Sequence, residues 1–371
     1  MLKNLSNKIH EFFSILKIIN KINNAKPKFI FYSEGKSYLK YAYILIKHLS
    51  EKFPEEVYYV SSEVNDKVLD LNVKNIYIGK GFLLQYFFKS INADNVFMTL
   101  TDLNNSIIKK NKFVKNYVYF FHSPISTTRN YTSAAFDNYD TILCNGEYQI
   151  KEIRYREKFK NLKEKKLIKS GFFYFDYLNA KIKKNDMGHE ILVAPSWNKN
   201  TKNYINSDFE KIVYNLLEKN YKVRFRPHPE TIKRSINYID TFIKKFQSKN
   251  FIYDNNPENL SAMQNAKCLI TDNSGISIEY IILFRRPIIF YNDFDKIHNE
   301  NFNMFKDFEP IEDMVKKKFG YIFNQSQIGE LELIIDQALT NFNNNEIDIF
   351  LKNYFYNFNE TVKYFEKNFK Q

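Results

Sequence analysis

Two cysteines, nine glycines, nine prolines and a single tryptophan in 371 residues exclude several kinds of protein. Cys144 and Cys268 each lie in an apolar run, TILCN and KCLIT, and form no CxxC spacing. That excludes a disulfide framework and a cysteine-held structural zinc, and fits a reducing compartment. Few glycines and prolines argue against long linkers and low-complexity tails. No apolar run approaches the roughly 18–20 residues that cross a bilayer. Lys8, Glu11 and Lys17 interrupt the N-terminal apolar residues, so no secretory signal is expected. A P-loop, GxGxxG and GxSxG are all missing, which takes support from kinase, NAD-enzyme and α/β-hydrolase readings.

What is present is apolar and basic. Hydrophobic residues make up 44% and aromatics 17%, and 55 Lys and Arg against 42 Asp and Glu give a net charge of +13. The charge suits an anionic substrate or an anionic membrane surface. No lysine run is long enough for a nucleic-acid arm, so nucleic acid is not an expected partner. The length exceeds one ordinary core and fits two α/β domains of similar size.

Residues 1–26 read as a basic amphipathic helix with Leu2, Leu5, Ile9, Phe12, Phe13, Leu16 and Ile19 on one stripe. Such a helix either lies on an anionic membrane or packs on its own domain, and both readings stand. From Pro27 the runs KFIFYSEG, EVYYVSS, KNIYIG, DNVFMTL, KNYVYFFHSP and DTILCNG read as strands between helical patterns, giving a first doubly wound domain over 27–182. The polar stretch 180–190 reads as a linker. ILVAPS, KVRFRPHP, NFIYD, CLITD, RPIIFY and FGYIF make a second such domain over 183–345, and an aromatic helical end, 346–371, is expected to return to the first. Ser207 with Glu210, and Asn256 with Pro257, carry helix-start signatures. Two such domains facing each other form a central cleft, and ligands in open α/β sheets bind beyond the strand ends.

The candidate residues follow strands. His122 follows YVYFF, and His228 stands between Pro227 and Pro229 after VRFRP, both suited to general-base work or to hydrogen bonding with phosphate. Arg224 and Arg226 share a strand face, where a guanidinium fork matches phosphate or forms a structural salt bridge. The turn Asp272, Asn273, Ser274, Gly275 separates a strand from a helix, the arrangement in which outward N–H groups hold a phosphate. Asp272 is expected to cap that turn, and Glu279 to reach a ribose hydroxyl. Asp293 and Asp295 have DxD spacing, but the further oxygen ligands of a hard-cation site are not identifiable, so no metal and no cofactor are expected.

RPHP, then LITDNSGISIEY and RPIIFY, resembles the C-terminal half of the CDP-glycerol glycerophosphotransferase family, which builds teichoic-acid and capsule-like polymers. Arg226, His228, Asp272, Ser274, Gly275, Glu279 and Pro287 stand at matching places, and His122 matches the family's histidine turn. The resemblance implies a GT-B fold, no obligatory metal and transfer of an alditol phosphate from a CDP-linked donor to a polymer or lipid-linked acceptor. It makes His122 the base, and His228 with Arg226 the stabilisers of charge. The chain departs from the pattern after His122, at Ser123-Pro124-Ile125-Ser126, and near Gly171, where Asp176 is kept but Phe173 and Tyr174 stand in place of Pro-Arg. Ser123, Ser126 and Asp176 are therefore acceptor-side candidates. A GT-B glycosyltransferase with a nucleotide-sugar donor is the alternative, and a non-catalytic basic nucleic-acid- or lipid-binding protein the third reading. The expected location is cytoplasmic, at most peripheral on the inner face of the membrane.

Overall fold

The computed structural model describes residues 2–369 apart from 184–187 and 293–295, with side chains described from Phe13 onward. The DxD aspartates, and four residues of the 180–190 stretch, thus lie outside the described residues.

The chain divides into two compact units. Unit 1 comprises Met1–His122, Tyr131–Tyr177 and Phe355–Gln371, and unit 2 comprises Ser123–Asn130 and Leu178–Tyr354. In chain order unit 1 holds α1 (Leu2–Ala25), β1 (Phe29–Ser33), α2 (Leu39–Lys52), β2 (Val57–Ser61), β3 (Lys74–Tyr77), α3 (Phe82–Ser90), β4 (Ala93–Met98), β5 (Val114–Phe120), β6 (Thr141–Cys144), α4 (Glu147–Phe159) and β7 (Lys166–Lys169), with α5 (Phe173–Asn179) at its boundary. Unit 2 follows with β8 (Glu190–Val193), α6 (Asp208–Glu218), β9 (Val223–Phe225), α7 (Pro229–Arg234), α8 (Ile236–Phe246), β10 (Phe251–Tyr253), α9 (Leu260–Asn265), β11 (Ala266–Thr271), α10 (Ile276–Phe284), β12 (Ile288–Tyr291), α11 (Ile311–Phe319), β13 (Gly320–Phe323), α12 (Leu331–Asn341) and α13 (Ile347–Tyr354). The last helix, α14 (Thr361–Asn368), belongs to unit 1.

Unit 1 is a seven-stranded parallel sheet in the order β3-β2-β1-β4-β5-β6-β7, and unit 2 a six-stranded parallel sheet in the order β10-β9-β8-β11-β12-β13. The central strands are apolar runs because helices cover both faces. In unit 1, Phe29, Phe31, Tyr59, Phe97 and Val118 pack with Leu45 and Leu49 of α2 and Phe365 of α14. In unit 2, Ile191, Val193, Phe225, Cys268 and Ile270 pack with Phe209, Ile212 and Leu216 of α6 and Ile335 of α12. In each sheet the chain winds outward from a central strand, then crosses back. That places the switch point between β1 and β4 in unit 1 and between β8 and β11 in unit 2, where such folds bind ligands.

Several local expectations are corrected. Ser207 is the residue before α6 but makes no side-chain capping bond. Its backbone is already helical, so its hydroxyl does not face the free amides. Asn256 accepts from the Glu258 N–H as a turn, and α9 starts later, after Asn259. The buried stripe of α1 is Ile15, Ile19 and Ile22, while Phe13 is 58% exposed. This half of the helix packs on unit 1 through α3, with the Asn23 amide donating to the Ser90 carbonyl at 2.8 Å. Residues 123–130 group with unit 2, so the 27–182 span is interrupted there. The cause is a set of polar anchors: Ser126 N–H donates to Glu312 at 3.0 Å, Arg129 forms a bidentate pair with Asp313 at 2.7 Å, and the Asn299 amide donates to the Thr128 carbonyl at 2.7 Å. The final aromatic segment also divides, α13 going to unit 2 and α14 to unit 1.

Asp176 explains how α14 is held. Its carboxylate accepts from Asn359 N–H at 2.8 Å, Thr361 N–H at 3.0 Å and the Thr361 hydroxyl at 2.6 Å. An acidic group saturated at a helix start is structural, so Asp176 is not placed as an acceptor residue. Asp176→Ala should cost about 2–3 kcal/mol, since it strands donors that Asp176 now satisfies. Thermal melts check this, and an unchanged melting temperature contradicts it.

Candidate functional site

Unit 2 concentrates polar chemistry at its switch point. The loop after β8 carries Ser196 and Trp197, and the loop after β11 carries Asp272 to Gly275. The two loops are joined by the Asp272 carboxylate, which accepts from both the N–H and the hydroxyl of Ser196 at 2.8 Å. Asp272 thus ties two strand ends together. Gly275 precedes α10, and the Ser277 N–H and hydroxyl close back onto the Ser274 carbonyl. A Cβ on Gly275 would lie 2.1 Å from Ser123 Oγ, so a larger residue there would displace the Ser123 hydroxyl where residues 123–130 cross the turn. Ser123 therefore sits beside the expected phosphate turn, within unit 2. Ser126 is fully buried, its hydroxyl bonded to that of Thr128 at 2.8 Å. Asn273 Oδ1 is buried without a hydrogen-bond partner among the described residues.

His228 precedes α7 in extended backbone, and its Nδ1 accepts from the Glu230 N–H at 3.1 Å. A ring nitrogen that accepts carries no proton, so the neutral imidazole holds its hydrogen on Nε2 as a donor. Arg226 is placed differently from the expectation. Its guanidinium donates to Asp254 at 2.8 Å and to the Asn256 carbonyl at 2.7 Å, while Arg224 bonds Glu190 and the same Asp254. The shared face of the two arginines is real, but its anion is the buried Asp254 at the end of β10. Glu279 is 4% exposed and accepts from the Asn259 amide at 2.7 Å. It lies on a face of α10 packed against α9.

Four residues near this point carry no local motif and were not singled out by sequence. The Trp197 ring centre lies 5.1 Å from that of His298 and 6.4 Å from that of His228, with the Lys296 ammonium 5.8 Å away. Burial lowers Lys296 to about 8 despite the attraction of Asp272 and Glu312. Burial raises Glu312, on the first turn of α11, to about 7 even though Ser126 N–H bonds it. Strand-end placement was the available signal for Trp197 and Lys296, and the abundance of lysine hid the latter.

The pH consequence has a definite sign. Between about 4.5 and 7 the folded protein keeps a proton on Glu312 that the unfolded chain releases, so this stabilising contribution is lost as pH rises through that window. Glu312→Gln should therefore remove a gain of about 3 kcal/mol on acidification and steepen the acid-side loss of stability. Melts from pH 4 to 8 test it, and a flatter profile in the variant contradicts it.

In unit 1, His122 follows β5, beside the switch strands. Its ring lies 5.7 Å from Tyr38, 6.0 Å from Tyr41 and 6.4 Å from Tyr131, and Nδ1 is buried without a hydrogen-bond partner among the described residues. Burial, then the Lys40 ammonium, push the imidazole down to about 4. Lys40 is 8% exposed on the first turn of α2, its ammonium 4.9 Å from the Tyr41 ring and 5.2 Å from that of Tyr174. It is a further residue that sequence reasoning missed.

Two Rossmann-type units, with a neutral histidine beyond the strands of each and a helix-start turn at the switch point of the second, define a GT-B-like nucleotide-dependent transferase. The model of the CDP-glycerol:poly(glycerophosphate) glycerophosphotransferase family matches residues 104–356, more than half the chain, and the protein belongs to that family. It is a transferase that moves a glycerol-phosphate unit from CDP-glycerol. No curated protein sequence matches it. In fold it is similar to the wall teichoic acid polymerase TagF, at a TM-score of 0.60 and 14% identity over 98% of this chain and 96% of that one. A TagF variant soaked with CDPG gives 0.59 and 13%, covering 98% and 96%. The UDP-GlcNAc 2-epimerase of Methanocaldococcus jannaschii gives 0.55 and 13%, covering 92% and 98%. At such identities the likeness is one of fold, and the epimerase shows that this fold serves other nucleotide chemistry. Among the described residues no helix is long and apolar enough to cross a membrane.

Proposed function

We propose that the acceptor is a teichoic-acid-like or lipid-linked glycerol-phosphate polymer, met at the inner face of the cell membrane. Unit 2 binds CDP-glycerol, its diphosphate on the turn Asp272–Gly275 and the Ile276 N–H at the start of α10, with Nε2–H of His228 donating to a phosphate oxygen. Arg226 acts by holding the Pro227-His228-Pro229 loop through Asp254. His122 of unit 1 takes the proton of the acceptor hydroxyl. The hydroxyl oxygen bonds to the phosphorus bearing glycerol, the bond from that phosphorus to the CMP oxygen breaks, and CMP leaves with the electron pair. Phosphoryl transfer rests mainly on positioning and on stabilising the developing charge, which the His228 N–H donor and the positive end of the helix dipole supply. The observation that carries this reading is the His228 hydrogen bond, in which Nδ1 accepts and which makes Nε2 the ring's N–H donor.

A thermal-shift panel of CDP-glycerol, CDP-ribitol, UDP- and GDP-sugars tests the donor. A ligand at about 100 times its Kd adds roughly 2.7 kcal/mol, a visible shift. Stabilisation by CDP-glycerol, weakened in His228→Ala, is expected. Stabilisation by a nucleotide sugar alone would instead favour the glycosyltransferase alternative.

A further inference from the structure

The hydrogen-bonding state of His298 singles it out. The residue is 8% exposed, and its ring lies 5.1 Å from the ring of the protein's only tryptophan. The ring bonds the Asn130 backbone, while Nε2 is buried with no hydrogen-bond partner among the described residues. A ring nitrogen that bonds a backbone carbonyl is the donor, so the proton sits on Nδ1 and Nε2 presents a bare lone pair. Burial, with the neighbouring Lys296 and Lys199 ammonium groups, keeps this imidazole neutral at physiological pH. Its backbone is fixed too, since the His298 N–H donates to the Arg129 carbonyl at 2.9 Å. A buried acceptor left unmet is costly, and such an atom beside an indole marks a place for a flat group that carries an N–H.

We propose that Trp197 and His298 form the pyrimidine slot of the donor site, with the base lying against the indole and its 4-amino group donating to His298 Nε2. The inference rests on the donor reading above and deepens it by naming what makes the enzyme read cytosine. Cytosine presents an amino group at position 4, where uracil presents a carbonyl oxygen. Against a bare lone pair the first makes a hydrogen bond and the second sets two acceptors face to face. Selectivity then comes from the repulsive arrangement with the wrong base as well as from the bond with the right one. The slot lies at the switch point of the unit 2 sheet, because Ser196, next to Trp197, is bonded to Asp272 of the phosphate turn.

Trp197 makes the test direct, because tryptophan fluorescence reports this position alone. CMP and UMP are titrated into the full chain and into His298→Ala and His298→Gln, with circular dichroism melts as the folding control. The wild type should be quenched by CMP, with a Kd about tenfold or more below that for UMP, the scale expected for one unmet buried acceptor. His298→Ala should bind CMP about tenfold more weakly and lose the preference, whereas His298→Gln, which keeps an acceptor oxygen, should retain part of it. Equal losses for CMP and UMP would place a ribose hydroxyl at Nε2 and overturn the assignment. An unchanged CMP-to-UMP ratio in the alanine variant would overturn it too. If the wild type turns over CDP-glycerol without CMP quenching Trp197, the slot is wrong and the donor reading stands. If it neither turns over CDP-glycerol nor binds CMP, both fail.

Discussion

His122→Ala should lower kcat with CDP-glycerol by about 10²–10⁴-fold, the usual contribution of a positioned base, and leave the fold intact. The residue sits among aromatic rings, and its Nδ1 has no hydrogen-bond partner among the described residues, so its removal strands no described partner of that atom. Its low basicity gives the prediction a second arm. An ordinary histidine base would lose activity as pH falls through about 6.5. Burial and Lys40 hold this one near 4, so the acid limb of the rate profile should lie well below 6.5. Removing the cation relieves part of the penalty on the protonated ring, so Lys40→Met should move that limb to higher pH. A wild-type limb at 6.5, or a His122→Ala variant that keeps most of its rate, contradicts the assignment.

His228→Ala should be nearly as damaging, and for a different reason. The imidazole holds a helix start through Nδ1 and offers Nε2–H beyond it. Loss of the cap alone costs about 0.5–2 kcal/mol of stability, a modest lowering of the melting temperature. Loss of a preorganised donor to the phosphates should reduce kcat by roughly 10²–10³-fold. His228→Asn separates the two, because asparagine caps well but has no donor at the distance of Nε2. It should melt close to wild type and remain slow. An asparagine variant with wild-type turnover would reduce His228 to a cap.

The architecture was legible because both sheets are parallel and buried. Their strands are short apolar runs closed by polar turns, and each strand read from the sequence is present. The strand-end rule also pointed to His122, His228 and the 272–275 turn, and each of them does follow a strand. What it could not show was which neighbour a polar side chain meets. Arg226 read as a phosphate ligand because Asp254, its partner, lies on another strand, and only the pairing of β9 with β10 brings them together. Glu279 read as accessible because α10 is apolar all round, and such a helix gives no clue to its outer face. Ser123 and Ser126 read as part of the first domain because nothing local reveals that Arg129 pairs with Asp313. Trp197 and His298 are far apart in sequence, and their joint environment exists only in the folded unit.

The most direct measurement is transfer of label from CDP-[glycerol-¹⁴C] to a glycerol-phosphate oligomer, with CMP release followed in the same reaction. The account predicts that labelled polymer and CMP appear in equal amounts with the wild type, and that both fall together in His122→Ala. Release of CMP without labelled polymer, or labelling only from a nucleotide sugar, would contradict it.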